Sequence, residues 1–99
     1  MATKDEAKRY LCNTSPEQCF WVNNGPILKN LEELADALPD MNDETFNHHV
    51  NSEKNDFSNW VKDIIGDNKL ANDLLSSRGR DSAVKKIRSR LNSLKKKAG

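Results

Sequence analysis

The side chains with the greatest chemical capacity in this chain are Cys12, Cys19, His48, His49, Asn55, Asp56 and a basic run toward the carboxyl end. An imidazole at His49 with the amide and carboxylate of Asn55-Asp56 is a set able to polarise a small ligand. No nucleophile motif accompanies it, so the expected role of His49 is that of a partly buried histidine holding a loop by hydrogen bonds. Asp56 is expected to cap the helix that follows, with Asn55 completing the turn, a contribution of about 1 kcal/mol. Cys12, Cys19, His48 and His49 offer four soft ligands, but zinc uses paired ligands two to four residues apart. Six residues separate the cysteines and the histidines are adjacent, so no metal or other cofactor is expected. Asp40-x-Asn42-x-Glu44 lacks the glycine and closing glutamate of a calcium loop and reads as a solvated turn. Gly25, Gly66, Gly79 and Gly99 are scattered and cradle no phosphate. No catalytic residue is assigned, and the chain is not expected to be an enzyme.

The basic run is the stronger feature. Residues 78–99 hold nine Lys or Arg (Arg78, Arg80, Lys85, Lys86, Arg88, Arg90, Lys95, Lys96, Lys97) against the single acid Asp81. Residues 1–77 hold seven against fourteen acids, so the net charge of +1 divides into a body of −7 and a segment of +8. Such a chain can bind an acidic partner through one end or fold its basic helix onto its acidic body. Val84, Ile87, Leu91, Leu94 and Ala98 recur at spacings of three and four, which draws an apolar seam between the cations. That seam either packs on the body while lysine stems snorkel over apolar edges, or makes the outside contacts.

The expected function is a small non-enzymatic interaction module. It docks on a protein partner, or on a second copy, through Val84, Ile87, Leu91 and Leu94. The alternative is sequence-independent binding of DNA or RNA by the nine cations. Their aliphatic neighbours offer no base stacking, and a face without Trp or Phe does not suit a membrane surface. A helix-turn-helix around Gly66 is disfavoured: Lys62 and Asn72 stand where that motif needs small and apolar residues, and Asp67 and Asp73 outweigh Lys69 against phosphate.

These residues must be positioned by one small core. Ninety-nine residues make a single domain, with 35% apolar and 31% charged side chains and a mean hydropathy of −0.86. The expected fold is mainly α: about five short helices with a small hairpin near the N-terminus. Residues 1–77 form the acidic body, and residues 78–99 a basic amphipathic helix in the same domain or protruding from it. The longest apolar run, Cys19 to Val22, is far short of the ~18 residues of a membrane span. No signal-peptide pattern is present, so a cytoplasmic chain with two free thiols is expected.

Thr3 with Glu6 is a capping-box spacing ahead of Ala7, Tyr10 and Leu11. Cys19 to Val22 reads as a strand running into Asn23-Asn24-Gly25, with Ile27 and Leu28 in an irregular return strand because Pro26 has no N–H. Asn30 and Glu33 open a helix ended by Pro39, and Asn42 or Asp43 caps one that turns Phe46 and His49 inward and His48 outward. Phe57, Trp60, Val61 and Ile64 form a stripe stopped by Gly66, Asp67 starts the next helix with Leu70, Ala71, Leu74 and Leu75, and Asp81 caps the last. The expected core is Trp21, Leu31, Leu34, Leu38, Phe46, Phe57, Trp60, Ile64, Leu70 and Leu74.

Residues 19–76 resemble a small uncharacterised domain of archaea and bacteria. The resemblance rests on Gly25 with Leu31, Leu34 and Leu38, on Phe46 with His49-Val50-Asn51, on Asn55-Asp56-Phe57-x-x-Trp60-Val61, and on Asp67 with Leu70-Ala71. That domain occurs alone or appended to larger proteins, some of them glycosyltransferase-like. The resemblance implies a compact, mainly helical accessory module without an assigned activity. Larger members carry an insertion between the histidine and the Asn-Asp-Phe element, which here spans only Val50 to Lys54.

Overall fold

Helix starts are dictated locally, by side chains that accept the N–H groups a first turn leaves unpaired. In the structure, a computed structural model that describes residues 3–77 and 79–99, Thr3 accepts from the Glu6 N–H and Glu6 returns the bond to the Thr3 N–H. This reciprocal box opens α1 (Lys4–Leu11). A 3-10 turn (Pro16–Gln18) leads into β1 (Phe20–Trp21), which pairs antiparallel with β2 (Ile27–Leu28). Asn30 caps α2 (Leu31–Ala37), and Pro39 converts its end to a 3-10 turn (Leu38–Asp40). Asn42 caps α3 (Asp43–His49), Asn55 caps α4 (Asp56–Trp60), and Asp67 caps α5 (Asn68–Leu75). The chain closes with α6 (Arg80–Ala98). The described residues are thus mainly helical, with six α-helices and one two-stranded hairpin.

Two expected caps move by one or two positions. Asn55 rather than Asp56 accepts from the Ser58 N–H, which releases Asp56 for other partners. At α6 the cap is Gly79 with no side-chain bond, and Asp81 sits inside the first turn, where its charge favours the positive end of the helix dipole.

Two side chains expected in the core lie elsewhere. Strand side chains alternate, so with Phe20 and Val22 turned inward Trp21 must face out, and it is 69% exposed. Between α4 and Gly66 the chain makes a π turn (Val61–Ile65). Its wider turn rotates the stripe by about one residue, which buries Ile65 and leaves Ile64 half-buried. Gly66 then adopts φ 89°, a left-handed conformation open to glycine at no steric cost, and its N–H bonds the Val61 carbonyl at 2.7 Å. Leu75, the last residue of α5, is exposed.

The core has two parts. An aromatic cluster joins the hairpin to α3 and α4: Phe20 stacks on Phe57 with centroids 4.9 Å apart and meets Trp60 edge-on at 5.8 Å. An aliphatic layer of Leu31, Leu34, Leu38, Leu70 and Leu74 receives Ile87, Leu91 and Leu94 from α6. The carboxyl-terminal helix therefore belongs to the same domain, packed on α1, α2 and α5. The radius of gyration, 12.6 Å, matches the ~13 Å of a compact chain this long.

The Asn55-to-Trp60 element is where polar and apolar structure meet. Beside its cap bond, Asn55 donates to the Leu74 carbonyl at 3.2 Å. Ser58 Oγ donates to the Ala71 carbonyl at 2.7 Å, and Trp60 Nε1 to the Gln18 carbonyl at 2.8 Å. Each polar atom thus ties α4 to another element, which accounts for the residue types at these positions on structural grounds.

Candidate functional site

His49 ends α3, buried to 5% exposure beside Phe20 and Phe57. Its Nε2 accepts the Asn23 N–H at 3.0 Å. A nitrogen that accepts carries no proton, so the proton sits on Nδ1 and is donated to Asp56 Oδ2, also at 3.0 Å. Both ring nitrogens are occupied, and the imidazole acts as a strut between the hairpin turn and the start of α4. The loop-holding role read from the sequence is met.

Burial pulls the Asp56 carboxyl upward, but hydrogen bonds from His49 and from Lys54 Nζ (3.0 Å) outweigh it and leave the group below its ordinary 3.8. The unfolded chain therefore takes up this proton first as pH falls. The contribution is present in full above pH 3.8 and is lost as pH drops through the lower folded value. Asp56→Asn should flatten the loss of stability in that acid window, measured as urea midpoints against pH. An unchanged acid slope would assign the sensitivity to other carboxylates.

Cys12 and Cys19 are free thiols, the first exposed and the second half-buried. Cys19 Sγ lies 3.5 Å from the Ser15 carbonyl and 3.4 Å from Thr14 Oγ1, turned toward its own loop rather than toward the histidines.

The seam of α6 requires a correction. Ile87 and Leu94 are fully enclosed and Leu91 is buried, all by the chain's own helices, while Val84 is half-buried against the same core. The residues expected to meet a partner are already covered. The reason is energetic: a small core short of apolar surface gains about 1.5–3 kcal/mol from each such side chain it covers.

The cations divide in the same way. Arg80 reaches the Met41 carbonyl and stands 3.4 Å from Asp43, Arg88 is 4.0 Å from Asp36, and Lys95 is 2.8 Å from Glu32. Arg90 makes a bidentate pair with Asp67 at 2.7 and 3.0 Å, the acid being 1% exposed. Lys86 donates to the Asp73 carbonyl and to Ser76 Oγ. Much of the charge expected to meet nucleic acid is matched within the fold, although Arg88 and Lys95 stay exposed in their pairs, as do Lys85 and Lys96. Arg78 lies outside the described residues. The Asp67–Arg90 pair was invisible to sequence reasoning because 23 positions separate its members.

What the fold leaves uncovered is the outer face of the hairpin. Val22 N–H bonds the Pro26 carbonyl at 3.1 Å, so by alternation the Trp21–Ile27 pair is a non-hydrogen-bonded one, with side chains close and backbone groups pointing to the strand edges. Trp21 is 69% and Ile27 51% exposed, side by side. The turn that joins the two strands also borders a groove of about 290 Å³, which runs to the α2–α3 connection and is lined by neither Trp21 nor Ile27. Its floor includes Val22, Ala37 and Met41, and its rim carries Asn23, Asn42 and Asp40, with no cation among the lining residues. Sequence reasoning missed this surface, although the alternation of Phe20, Trp21 and Val22 contained the signal.

Among the described residues, no helix is long and apolar enough to cross a membrane. No family model matches the chain, and no curated protein or solved structure is significantly similar to it.

Proposed function

We propose that this chain is a small non-enzymatic interaction module that docks an extended, basic segment of a protein partner on its hairpin. The observation that carries the reading is the exposed Trp21–Ile27 pair on a strand ladder whose other face is locked into the core. Tryptophan is the residue type most enriched where binding energy concentrates. The unpaired edge groups of so short a ladder suit an added strand. The groove bordering the hairpin turn, lined by Asp40 and amides but no cation, suits a lysine or arginine further along that segment. A second copy of the chain fits less well, because two apolar side chains supply far less than the ~800 Å² per partner of a stable interface. The reading retains the module expected from the sequence and its resemblance to an accessory domain, moves the contact surface from α6 to the hairpin, and places the chain in the cytoplasm.

Selection of random peptides on the immobilised full chain tests this. Enriched peptides should combine aliphatic and basic residues, and Trp21→Ala should weaken them by about thirtyfold, the ~2 kcal/mol of a central aromatic contact. Because Trp21 is exposed, its replacement should leave the melting temperature almost unchanged. No enrichment, or binding that survives Trp21→Ala, would reject the hairpin as the docking surface.

A further inference from the structure

The two faces of α6 differ in how their charge is used. On one, Arg80, Arg88 and Lys95 meet Asp43, Asp36 and Glu32 of the body. The other borders α5, where the two helices leave an open groove of about 400 Å³. Lys85, Ser89 and Ser93 stand along it at steps of four, one above another on a helix. Among the described residues, no hydrogen bond or ion pair engages these three side chains. Alongside run Lys86 and, from α5, Lys69. The one carboxylate in the lining, Asp73, bonds Lys69 at 3.1 Å, and Arg90 is balanced from behind by Asp67. The groove therefore keeps an excess of two positive charges and a row of unused hydroxyl and ammonium donors.

We propose that this groove binds a run of phosphate groups. Its size falls within the ~300–1,000 Å³ of ligand sites, but no aliphatic or aromatic residue lines it, and its apolar surface is that of side-chain stems ending in charged or hydroxyl groups. Bases would find no stacking partner there. Donors and positive charge are what it offers, and phosphate oxygens accept from both lysine and serine. The row from Lys85 to Ser93 is about 12 Å long at 1.5 Å per residue, the axial length of about three phosphates of one nucleic-acid strand at ~3.4 Å each. A single phosphate would leave most of it unused. The site is independent of the hairpin, so a partner protein and a phosphate chain can be held together.

Titration of the full chain with sodium tripolyphosphate, followed by amide NMR at constant ionic strength, tests the proposal. Saturable shifts should centre on Lys69, Lys85, Lys86, Ser89 and Ser93. Lys85→Glu should weaken binding by about tenfold, as loss of a charged hydrogen bond does. Lys96→Glu makes the same charge change on the same helix outside the groove and should weaken it less than about twofold. A short DNA duplex in a second arm separates the sources of phosphate: a duplex that binds, is displaced by tripolyphosphate and is weakened by Lys85→Glu makes the ligand a nucleic-acid backbone, and one that is ignored makes it a soluble oligophosphate. The proposal fails if sulfate at equal ionic strength reproduces the shifts, if both charge reversals weaken binding equally, or if bound duplex resists displacement.

Discussion

Arg90→Met should lower the unfolding free energy by about 3–5 kcal/mol, the cost of stranding a buried carboxylate without its cation. Asp67 is 1% exposed, and its two oxygens receive the guanidinium bidentately while Oδ1 also accepts the Leu70 N–H that starts α5. Methionine has nearly the reach of arginine's stem, so the packing changes little and the missing charge dominates. The double variant Asp67→Asn, Arg90→Met should recover at least half of the loss. Asparagine caps a helix as well as aspartate does, and no longer brings a charge into the interior. Urea titrations of the wild type, both single variants and the double variant give the coupling directly. A loss under 1 kcal/mol in Arg90→Met would mean that water reaches Asp67 and that the pair contributes little to holding α6 on α5.

Removing residues 82–99 should unfold the whole chain. For a protruding helix the body would survive such a truncation, but here it removes Ala83, Ile87, Leu91 and Leu94 from the core and uncovers the side chains they pack on. At about 1.5–3 kcal/mol per buried aliphatic side chain, the loss rivals the ~5–15 kcal/mol that holds a domain together. Leu91→Asp should act in the same direction. On an exposed seam this substitution would separate an oligomer into monomers. In the interior it places an unpaired carboxylate where Leu91 is 5% exposed, and the far-UV helical signal should collapse. A truncated chain that kept a cooperative melt would show that the first 81 residues close a core of their own.

The division between what was legible in the sequence and what was not follows the range of the interactions. Thr3 with Glu6, Asn30 and Asn42 act on N–H groups within one turn, so their helices could be placed from the residues alone. Asn55 and Asp56 both suit a cap, and local chemistry did not separate them. The choice was made by His49, seven positions away, which takes Asp56 and leaves the cap to Asn55. The outward turn of Trp21 follows from the strand alternation of Phe20, Trp21 and Val22, which overrides the general tendency of a tryptophan to be buried.

A mainly helical chain with a short hairpin, a histidine that ties down a loop, and an amphipathic basic helix at the carboxyl end are all legible in the order of the residues. These are consequences of periodicity and of side chains acting on nearby backbone. Where that helix goes is set by long-range packing. Its seam and much of its charge complement surfaces many positions away: Leu31, Leu34 and Leu70 in the core, Glu32, Asp36 and Asp67 among the acids. An apolar stripe records that it needs cover and not whose surface covers it, because burial against the chain's own body and burial against a partner require the same residues at the same spacing.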